Sequence, residues 1–307
     1  MTERLLRLGT RNSPLAMAQA MEARDRLCAM HGWPESRIEL VPVTASGDKV
    51  LDRPLAEIGG KALWTKELDA WLLNGEIDFA VHSAKDVETL RPAALTIGAV
   101  LPREDVRDVL VGAASLSALP AGSRVGTSAP RRAAQVLHAR PDCRIVPMRG
   151  NVATRLGKLA AGEADATLLA AAGLNRLGQS VDGAALDASQ WLPAAGQGAI
   201  AVECRSDDTA MRGWLAGIDH ADSRRAVLAE RALLAALGGN CHSPVAMLTH
   251  IDGETLTLRA LLFSPDGQER IEHSMACQQD DAAHAAALAG ELLRRAPPAV
   301  RQHFGGA

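Results

Sequence analysis

The sequence predicts an α/β protein of two related lobes followed by a third, smaller α+β domain. Three observations lead there. Strand-like and helix-like runs alternate from residue 5 onward. Short motifs of the first hundred residues return later in the chain. Beyond residue 198 the alternation gives way to strands grouped between helices. A chain of 307 residues has room for two or three domains.

Leu5-Leu6-Arg7-Leu8 reads as the first strand. Ser13 then caps a helix, Pro14 suits its first turn, and Gly32 stops it after His31. Ile38 to Thr44 is a second strand. Trp64 to Asn74 is helical, with Trp64, Leu68, Trp71 and Leu72 on one face, and Ile77 to Val81 is an apolar strand ending at His82-Ser83. A second α/β unit follows: a strand ending Arg124-Val125-Gly126, a helix over 130–139, a strand over 144–148, a helix over 152–162 and a strand over 165–170. The two units share motifs. Leu8-Gly9-Thr10 with Pro14 and Ala18-Gln19 resembles Val125-Gly126-Thr127 with Pro130 and Ala134-Gln135, 117 residues apart. Gly75-Glu76-Ile77-Asp78 resembles Gly162-Glu163-Ala164-Asp165, 87 apart. A strand over 199–203 is placed to cross back to the first sheet. A helix over 223–237, strands over 244–251, 255–263 and 268–276, and a helix over 281–295 make the third domain. The tail after Pro297-Pro298 reads as frayed.

Composition narrows the class of function. Apolar residues are 47% and charged residues 22%, so the chain has material for packed cores. No apolar run approaches the roughly 18 residues of a membrane span. The first residues reach Gly9-Thr10 too soon for a signal-peptide core, so a cytoplasmic location is expected. A net charge of -3 and 3% aromatic residues give neither a basic field nor stacking platforms for nucleic acid. Cys28, Cys143, Cys204, Cys241 and Cys277 are odd in number and widely spaced, which argues against a disulfide framework or a structural zinc site.

Anion chemistry must therefore come from local clusters. Gly9-Thr10-Arg11-Asn12-Ser13 and Gly126-Thr127-Ser128-Ala129-Pro130-Arg131-Arg132 join strands to helix starts, where free N–H groups favour anions. Arginines in a first helical turn oppose the helix dipole, so Arg131 and Arg132 stand where stability alone would not put them. Arg149-Gly150-Asn151 with Arg155 repeats the pattern. Each arginine taken alone reads as a solvated surface residue, whereas the set at equivalent loop positions reads as anion-binding. Asp86, after a buried strand and beside Lys85, reads either as an acid/base group or as a cap of the next segment, and His82 reads as a packed histidine. Gly59-Gly60-Lys61 lacks the rest of a phosphate-binding loop. Cys241, in Gly238-Gly239-Asn240-Cys241, is either an exposed reactive thiol or an inert one.

Together these segments resemble the porphobilinogen deaminase (hydroxymethylbilane synthase) family. The motifs are Arg11-Asn12-Ser13-Pro14-Leu15-Ala16 with Gln19; Gly59-Gly60-Lys61 with Lys66-Glu67-Leu68; His82-Ser83-Ala84-Lys85-Asp86; Gly126-Thr127-Ser128 with Arg131-Arg132; Arg149-Gly150-Asn151 with Thr154-Arg155-Leu156; Ala172-Gly173-Leu174 with Arg176-Leu177-Gly178; Gly196-Gln197-Gly198 with Glu203-Cys204-Arg205; and Cys241 with Pro244. They run in family order over residues 7 to 245.

The resemblance implies two periplasmic-binding-protein-like lobes, 1–100 with 199–217 and 101–198, and a third domain, 218–307, carrying Cys241 on a loop that faces the cleft. It implies a transferase of tetrapyrrole biosynthesis that joins four porphobilinogen molecules head to tail into hydroxymethylbilane, releasing ammonia. The cofactor implied is a dipyrromethane primer held by a thioether to Cys241, with no metal. Asp86 would be catalytic. Arg11, Lys61, Lys85, Arg131, Arg132, Arg149, Arg155 and Arg176 would hold substrate and primer carboxylates, with Ser13, Ser83, Thr127, Ser128, Gly150, Asn151 and Gln197 beside them. A monomer is expected, with no nucleic-acid or membrane partner. The chain departs from the family pattern at Trp64 (usually Phe), Glu88 (usually Pro), Ala129-Pro130, Asn240 and His242-Ser243. A non-catalytic anion receptor on the same two lobes is the alternative; it leaves Asp86 and the Cys241 loop unexplained.

Overall fold

A computed structural model describes residues 4–43, 63–279 and 281–304. The chain divides into two compact units, Met1–Arg103 with Ala199–Arg224 and Glu104–Gly198 with Arg225–Ala307. In chain order, the first unit opens with β1 (Leu6–Arg11), α1 (Pro14–His31), β2 (Ile38–Val43), α2 (Leu63–Leu73), β3 (Phe79–Ser83) and β4 (Leu95–Val100). The second unit takes over with β5 (Asp108–Val111), β6 (Arg124–Gly126), α3 (Pro130–Ala139), β7 (Arg144–Val146), α4 (Val152–Ala160), β8 (Ala166–Ala170), α5 (Ala171–Arg176) and β9 (Gly183–Ala185). The chain then returns to the first as β10 (Ile200–Arg205) and α6 (Thr209–Ala216). After α7 (Ala221–Ala236) come β11 (Val245–Asp252), β12 (Thr255–Phe263), β13 (Arg270–Cys277), α8 (Asp281–Arg295) and α9 (Pro298–Arg301).

Local chemistry sets the helix ends. The Ser13 hydroxyl accepts from the Ala16 N–H, Pro14 opens α1, and Gly32, at φ 67°, closes it with its N–H on the Cys28 carbonyl. The α1 face carrying Ala20, Ala23 and Leu27 is buried against Leu6, Leu8, Phe79 and Val81 of the first sheet.

The two sheets have the same plan. The first runs β2-β1-β3-β10-β4 and the second β7-β6-β8-β5-β9. In each, three strands are parallel and the fourth, contributed from across a crossing between the units, is antiparallel. The strand expected to cross back is β10, which pairs with both β3 and β4.

The repeated motifs make repeated contacts. The Asp78 carboxylate accepts from the Arg7 N–H at 2.7 Å, and the Asp165 carboxylate accepts from the Arg124 N–H at 2.7 Å. Gly75 and Gly162 turn at φ 72° and 73°. A Cβ on Gly9 would meet Ile77 Cδ1 at 2.3 Å, and one on Gly126 would meet Ala164 Cβ at 3.2 Å and Met148 Cε at 2.5 Å. Glycine at both places lets the turn after a later helix, α2 or α4, pack close against the strand without pushing side-chain tips aside.

β4, β5 and β9, with α5 and α6, are elements that sequence patterning leaves unassigned. β5 is four residues long and buried throughout, with Asp108 among them. A charge inside so short an apolar run masks it.

The β11-β12-β13 sheet is antiparallel and packs α7 and α8 over a core of its own, including Leu233, Leu258, Leu262, Leu288 and Leu292. A second cluster, Ala134, Leu192, Ala246, Leu261 and Phe263, joins it to α3. The tail differs from expectation. Residues after Pro297 form α9, and Val300 and Phe304 are buried in the third-domain core. Each such side chain contributes on the order of 1.5–3 kcal/mol, which outweighs fraying.

Candidate active site

In the first unit, the C-terminal ends of the parallel strands β1 and β3 lie side by side, the position where open α/β sheets hold ligands. β1 ends in Arg11 and leads to Ser13. β3 ends in Ser83 and leads to a single 3₁₀ turn, Ala84–Asp86. The Ala84 N–H donates to the Ala199 carbonyl at 2.9 Å, fixing the start of that turn, and buried Val87 fixes its end. Gln19, buried on α1, exchanges hydrogen bonds of 2.9 and 3.2 Å with the Ser83 hydroxyl. A cavity of about 60 Å³ is lined by Arg11, Ser13, Gln19, His82, Ser83 and Asp86 among others. The structure thus gathers Arg11, Ser13, Ser83 and Asp86 as the sequence reading groups them. The Asp86 side chain is exposed and Lys85 is half-buried. Lys61 and its glycine turn lie outside the described residues, as does the Trp64 side chain.

His82 is buried, and burial, reinforced by Arg91, lowers its pKa to about 4, so the ring is neutral at pH 7. Its Nε2 lies 3.3 Å from Glu203 Oε2. Glu203, fully buried on β10, shares the Arg91 guanidinium with Asp69 of α2. This buried charge network behind the Asp86 turn escapes sequence reading. A lone glutamate inside Ile200-Ala201-Val202-Glu203-Cys204 is the trace it leaves in the sequence.

In the second unit, Thr127, Ser128, Arg149, Gly150, Asn151 and Arg155 come together where β6 and β7 meet their helices. The Ser128 hydroxyl accepts from the Met148 N–H at 3.1 Å, tying the two loops. The Thr127 hydroxyl accepts from the Ala129 N–H at 3.2 Å. Asn151 caps α4, accepting from the Thr154 N–H at 2.8 Å and hydroxyl at 3.0 Å. Arg155 Nε donates to the Gly150 carbonyl at 2.9 Å. Gly150 sits at φ 114°, with Thr154 side-chain atoms 2.6–3.3 Å from where a Cβ would be. Arg176 donates to the Gly198 carbonyl at 3.1 Å.

Arg131 and Arg132, which the resemblance gives to ligand carboxylates, have their side chains buried against a carboxylate of the protein. Arg131 Nη2 donates to Asp108 Oδ2 at 2.8 Å. Arg132 reaches both Asp108 oxygens, at 3.2 and 2.6 Å. One further donor of each goes to a carbonyl, Leu192 for Arg131 and Leu168 for Arg132. Trp191 Nε1 and Gln197 Nε2 complete the shell of Asp108 at 2.9 and 2.8 Å. Gln197, expected beside ligand, is thus fully buried on Asp108 and the Val106 carbonyl. Burial pushes the Asp108 carboxyl up, but Arg131 and Arg132 overcome it and hold the group well below the usual carboxylate range. One internal anion thus offsets part of the positive charge that these two arginines bring to the start of α3.

Cys241 follows α7 on a loop shaped by its neighbours. Gly238 turns at φ 64°. The Asn240 side chain accepts from the His242 N–H at 2.8 Å, and the Ser243 hydroxyl accepts from the Asn240 N–H at 3.0 Å. Asn240 and Ser243, both departures from the family pattern, thus build the turn. Of the five cysteines, all reduced, Cys241 alone is exposed. Cys28, Cys143 and Cys204 are buried, and burial raises each thiol's pKa, that of Cys204 to about 11. Cys277 is half-buried, its thiol 3.4 Å from Asp281.

Residues 6–213 match the family model described as porphobilinogen deaminase, dipyromethane cofactor binding domain, and residues 224–295 match that of the porphobilinogen deaminase C-terminal domain. The chain belongs to the porphobilinogen deaminase family.

Relatives in the porphobilinogen deaminase family extend over nearly the whole chain. Porphobilinogen deaminase of Sphingopyxis alaskensis is 57% identical over 97% of this chain and 96% of its own. That of Nitrobacter winogradskyi is 48% identical over 100% and 98%. The chloroplastic porphobilinogen deaminase of Pisum sativum is 47% identical over 96% of this chain and 82% of its own. A probable amino-acid ABC transporter extracellular-binding protein of Bacillus subtilis superposes on 75% of this chain and 96% of its own, with a TM-score of 0.41 at 13% identity. The dipyrromethane that the porphobilinogen deaminase domain binds needs an accessible thiol for a thioether. The exposed Cys241, on a turn tied by N–H bonds to the Asn240 and Ser243 side chains, fits that need, and the three buried thiols do not. Among the described residues no helix is long and apolar enough to cross a membrane.

Proposed function

We propose that this chain is a hydroxymethylbilane synthase that joins four porphobilinogen molecules into linear hydroxymethylbilane, with dipyrromethane attached to Cys241. The observation that carries the reading is the family match over both segments together with the single exposed thiol at Cys241. When bound, the dipyrromethane supplies the pyrrole carbon onto which substrate units are added. In each addition the substrate's aminomethyl C–N bond breaks and ammonia leaves. A new C–C bond forms, and the attacked ring carbon gives up its proton. The cationic ring left by ammonia's departure needs an anion close by. Asp86, exposed at the end of β3, can face the pyrrole N–H, offset the developing charge and relay the proton. Arg11, with Ser13 and Ser83 beside it, receives substrate carboxylates in the first unit. Arg149 and Arg155, with Thr127, Ser128 and Asn151, do so in the second, and Lys61, Lys85 and Arg176 belong to the same set. Arg131 and Arg132 act through Asp108 in shaping that second site.

The same reading separates a second lobe, 101–198, from a third domain, 218–307, and the separate hydrophobic cores within these ranges support it. It takes the protein as a cytoplasmic monomer, in keeping with five cysteines that form no disulfide, since reduced thiols suit a reducing compartment. The test is stoichiometry. Purified protein given porphobilinogen should release ammonia mole for mole with substrate consumed and yield a linear tetrapyrrole that cyclises on standing. Substrate bound but not consumed would favour the anion receptor instead.

A further inference from the structure

The Cys241 loop runs straight into a joint between two cores. Pro244, three residues on, accepts at its carbonyl from the Phe263 N–H at 3.0 Å. Ala246 and Phe263 then join Leu261 in burying themselves against Ala134 of α3 and Leu192. On its other side the loop is tied to α7 by the Gly239 N–H on the Leu234 carbonyl at 2.8 Å. The joint is dry at its centre and pinned around it. The turn between β12 and β13 sits on the end of α3. There the Gly267 carbonyl lies 2.9 Å from His138 Nδ1, and the His138 and Phe263 rings meet edge-on. Glu230 of α7, fully buried, accepts from the Gly196 N–H at 2.7 Å and from the Thr249 N–H at 3.0 Å. The Met247 N–H donates to the Pro193 carbonyl at 2.9 Å, and Arg259 Nη1 donates to the Ser189 carbonyl at 2.6 Å. Domains that meet through small polar interfaces move on one another by default. Here an apolar centre and buried, paired polar groups oppose that motion.

The second-lobe side of the joint is the same structure that supports the anion loops. α3 begins with Arg131 and Arg132, and the Leu192 carbonyl accepts from Arg131 Nη1 at 2.8 Å and Gln135 Nε2 at 3.1 Å. On the reading of Cys241 as the primer's tether, we propose that the third domain is docked on α3 and on residues 189–197 as a fixed positioning element. The foot of the Cys241 loop then keeps one distance from the second-lobe loops at Thr127-Ser128 and Arg149-Gly150-Asn151 throughout elongation. A lengthening chain is not accommodated by the third domain sliding off the second lobe. Each added ring instead displaces the earlier ones past a stationary tether.

Spin labels at Ala161→Cys, at the end of α4, and Ala286→Cys, on α8, test this in primer-loaded enzyme that also carries Cys277→Ser. Both label sites are exposed, whereas Cys28, Cys143 and Cys204 are buried and the primer occupies Cys241. Pulsed double resonance then reads the distance between the labels as one, two and three pyrroles are added. We expect the mean to stay within about 2 Å of its starting value, as in pre-organised interfaces. A larger shift, or a second distance that grows in with each addition, overturns the proposal. Gly267→Val tests whether the docking positions the tether. Gly267 sits at φ 70°, and a Cβ there would meet the Ala134 carbonyl oxygen at 2.5 Å and His138 N at 2.6 Å, so the turn must lift off α3. The variant should keep its primer by intact mass, show a broader label distance and lose about tenfold or more in kcat, since misplacement by about 1 Å can cost up to about a hundredfold. A folded, primer-loaded Gly267→Val with wild-type kcat overturns the positioning role; should the variant not fold, the labels in the parent enzyme still decide. If peptide mapping puts the primer on another cysteine, the reading of Cys241 fails, whereas the label distance still judges the docking.

Discussion

Asp86 and the arginine pair at the start of α3 illustrate two different fates for charged residues that look alike in sequence. Asp86 is exposed at a strand end beside a small polar cavity, so its carboxylate is available for chemistry. Asp86→Ala should lower turnover by about 10²–10⁴-fold, the range for a positioned acid–base group, with an unchanged melting transition. A folded variant within a few-fold of wild type would remove Asp86 from the mechanism. Arg131 behaves differently because Asp108 depends on it. Arg131→Leu should destabilise the second unit by about 3–5 kcal/mol, the cost of breaking a buried ion pair from one side. Arg149→Leu, at a half-buried loop position, should leave denaturant midpoints almost unchanged and stall elongation with the primer in place. Equal stability of the two variants would contradict this division. Sequence reading could see that two arginines oppose a helix dipole. It could not see the anion offsetting them, because Asp108 lies on a strand it left unassigned, 23 residues from Arg131 along the chain.

At the scale of elements, β3 carries both the site and a pH dependence. Its His82 is neutral in the folded state, with a pKa near 4 against 6.5 when exposed. The unfolded chain therefore binds more protons between those values. Stability is fully present above pH 6.5 and is lost as pH falls toward 4. At pH 5 the loss should be about 2 kcal/mol, since each pKa unit is worth about 1.4 kcal/mol. Urea midpoints of wild type and His82→Gln, compared at pH 7 and 5, check the sign: the variant should lose less on acidification. A wild type that gains stability at pH 5 would show that His82 is protonated in the fold. Element positions were widely legible. Capping at Ser13 and the stop at Gly32 are written in local sequence. Short strands such as β5 and β9 were not, because only pairing across the sheet makes them strands.

For the whole molecule, a shared strand plan explains why two loop sets far apart in the sequence resemble each other. Equivalent glycines, aspartates and strand orders build equivalent strand ends in each unit, and the third domain adds the loop that presents Cys241. The fold and the site could be read from sequence so far as they rest on repeated local motifs. The Arg91 network and the Asp108 cluster could not, since they join residues distant in sequence through burial. In the proposed function, Cys241 carries the primer from which the tetrapyrrole grows. Intact mass spectrometry of purified protein, followed by a peptide map, decides whether it does. The mass should exceed that of the sequence by two linked pyrrole rings, all of it on the peptide containing Cys241 and absent in Cys241→Ser, with successive one-pyrrole increments on brief exposure to porphobilinogen. An active enzyme whose Cys241 peptide is unmodified, or whose adduct sits on another cysteine, would contradict it.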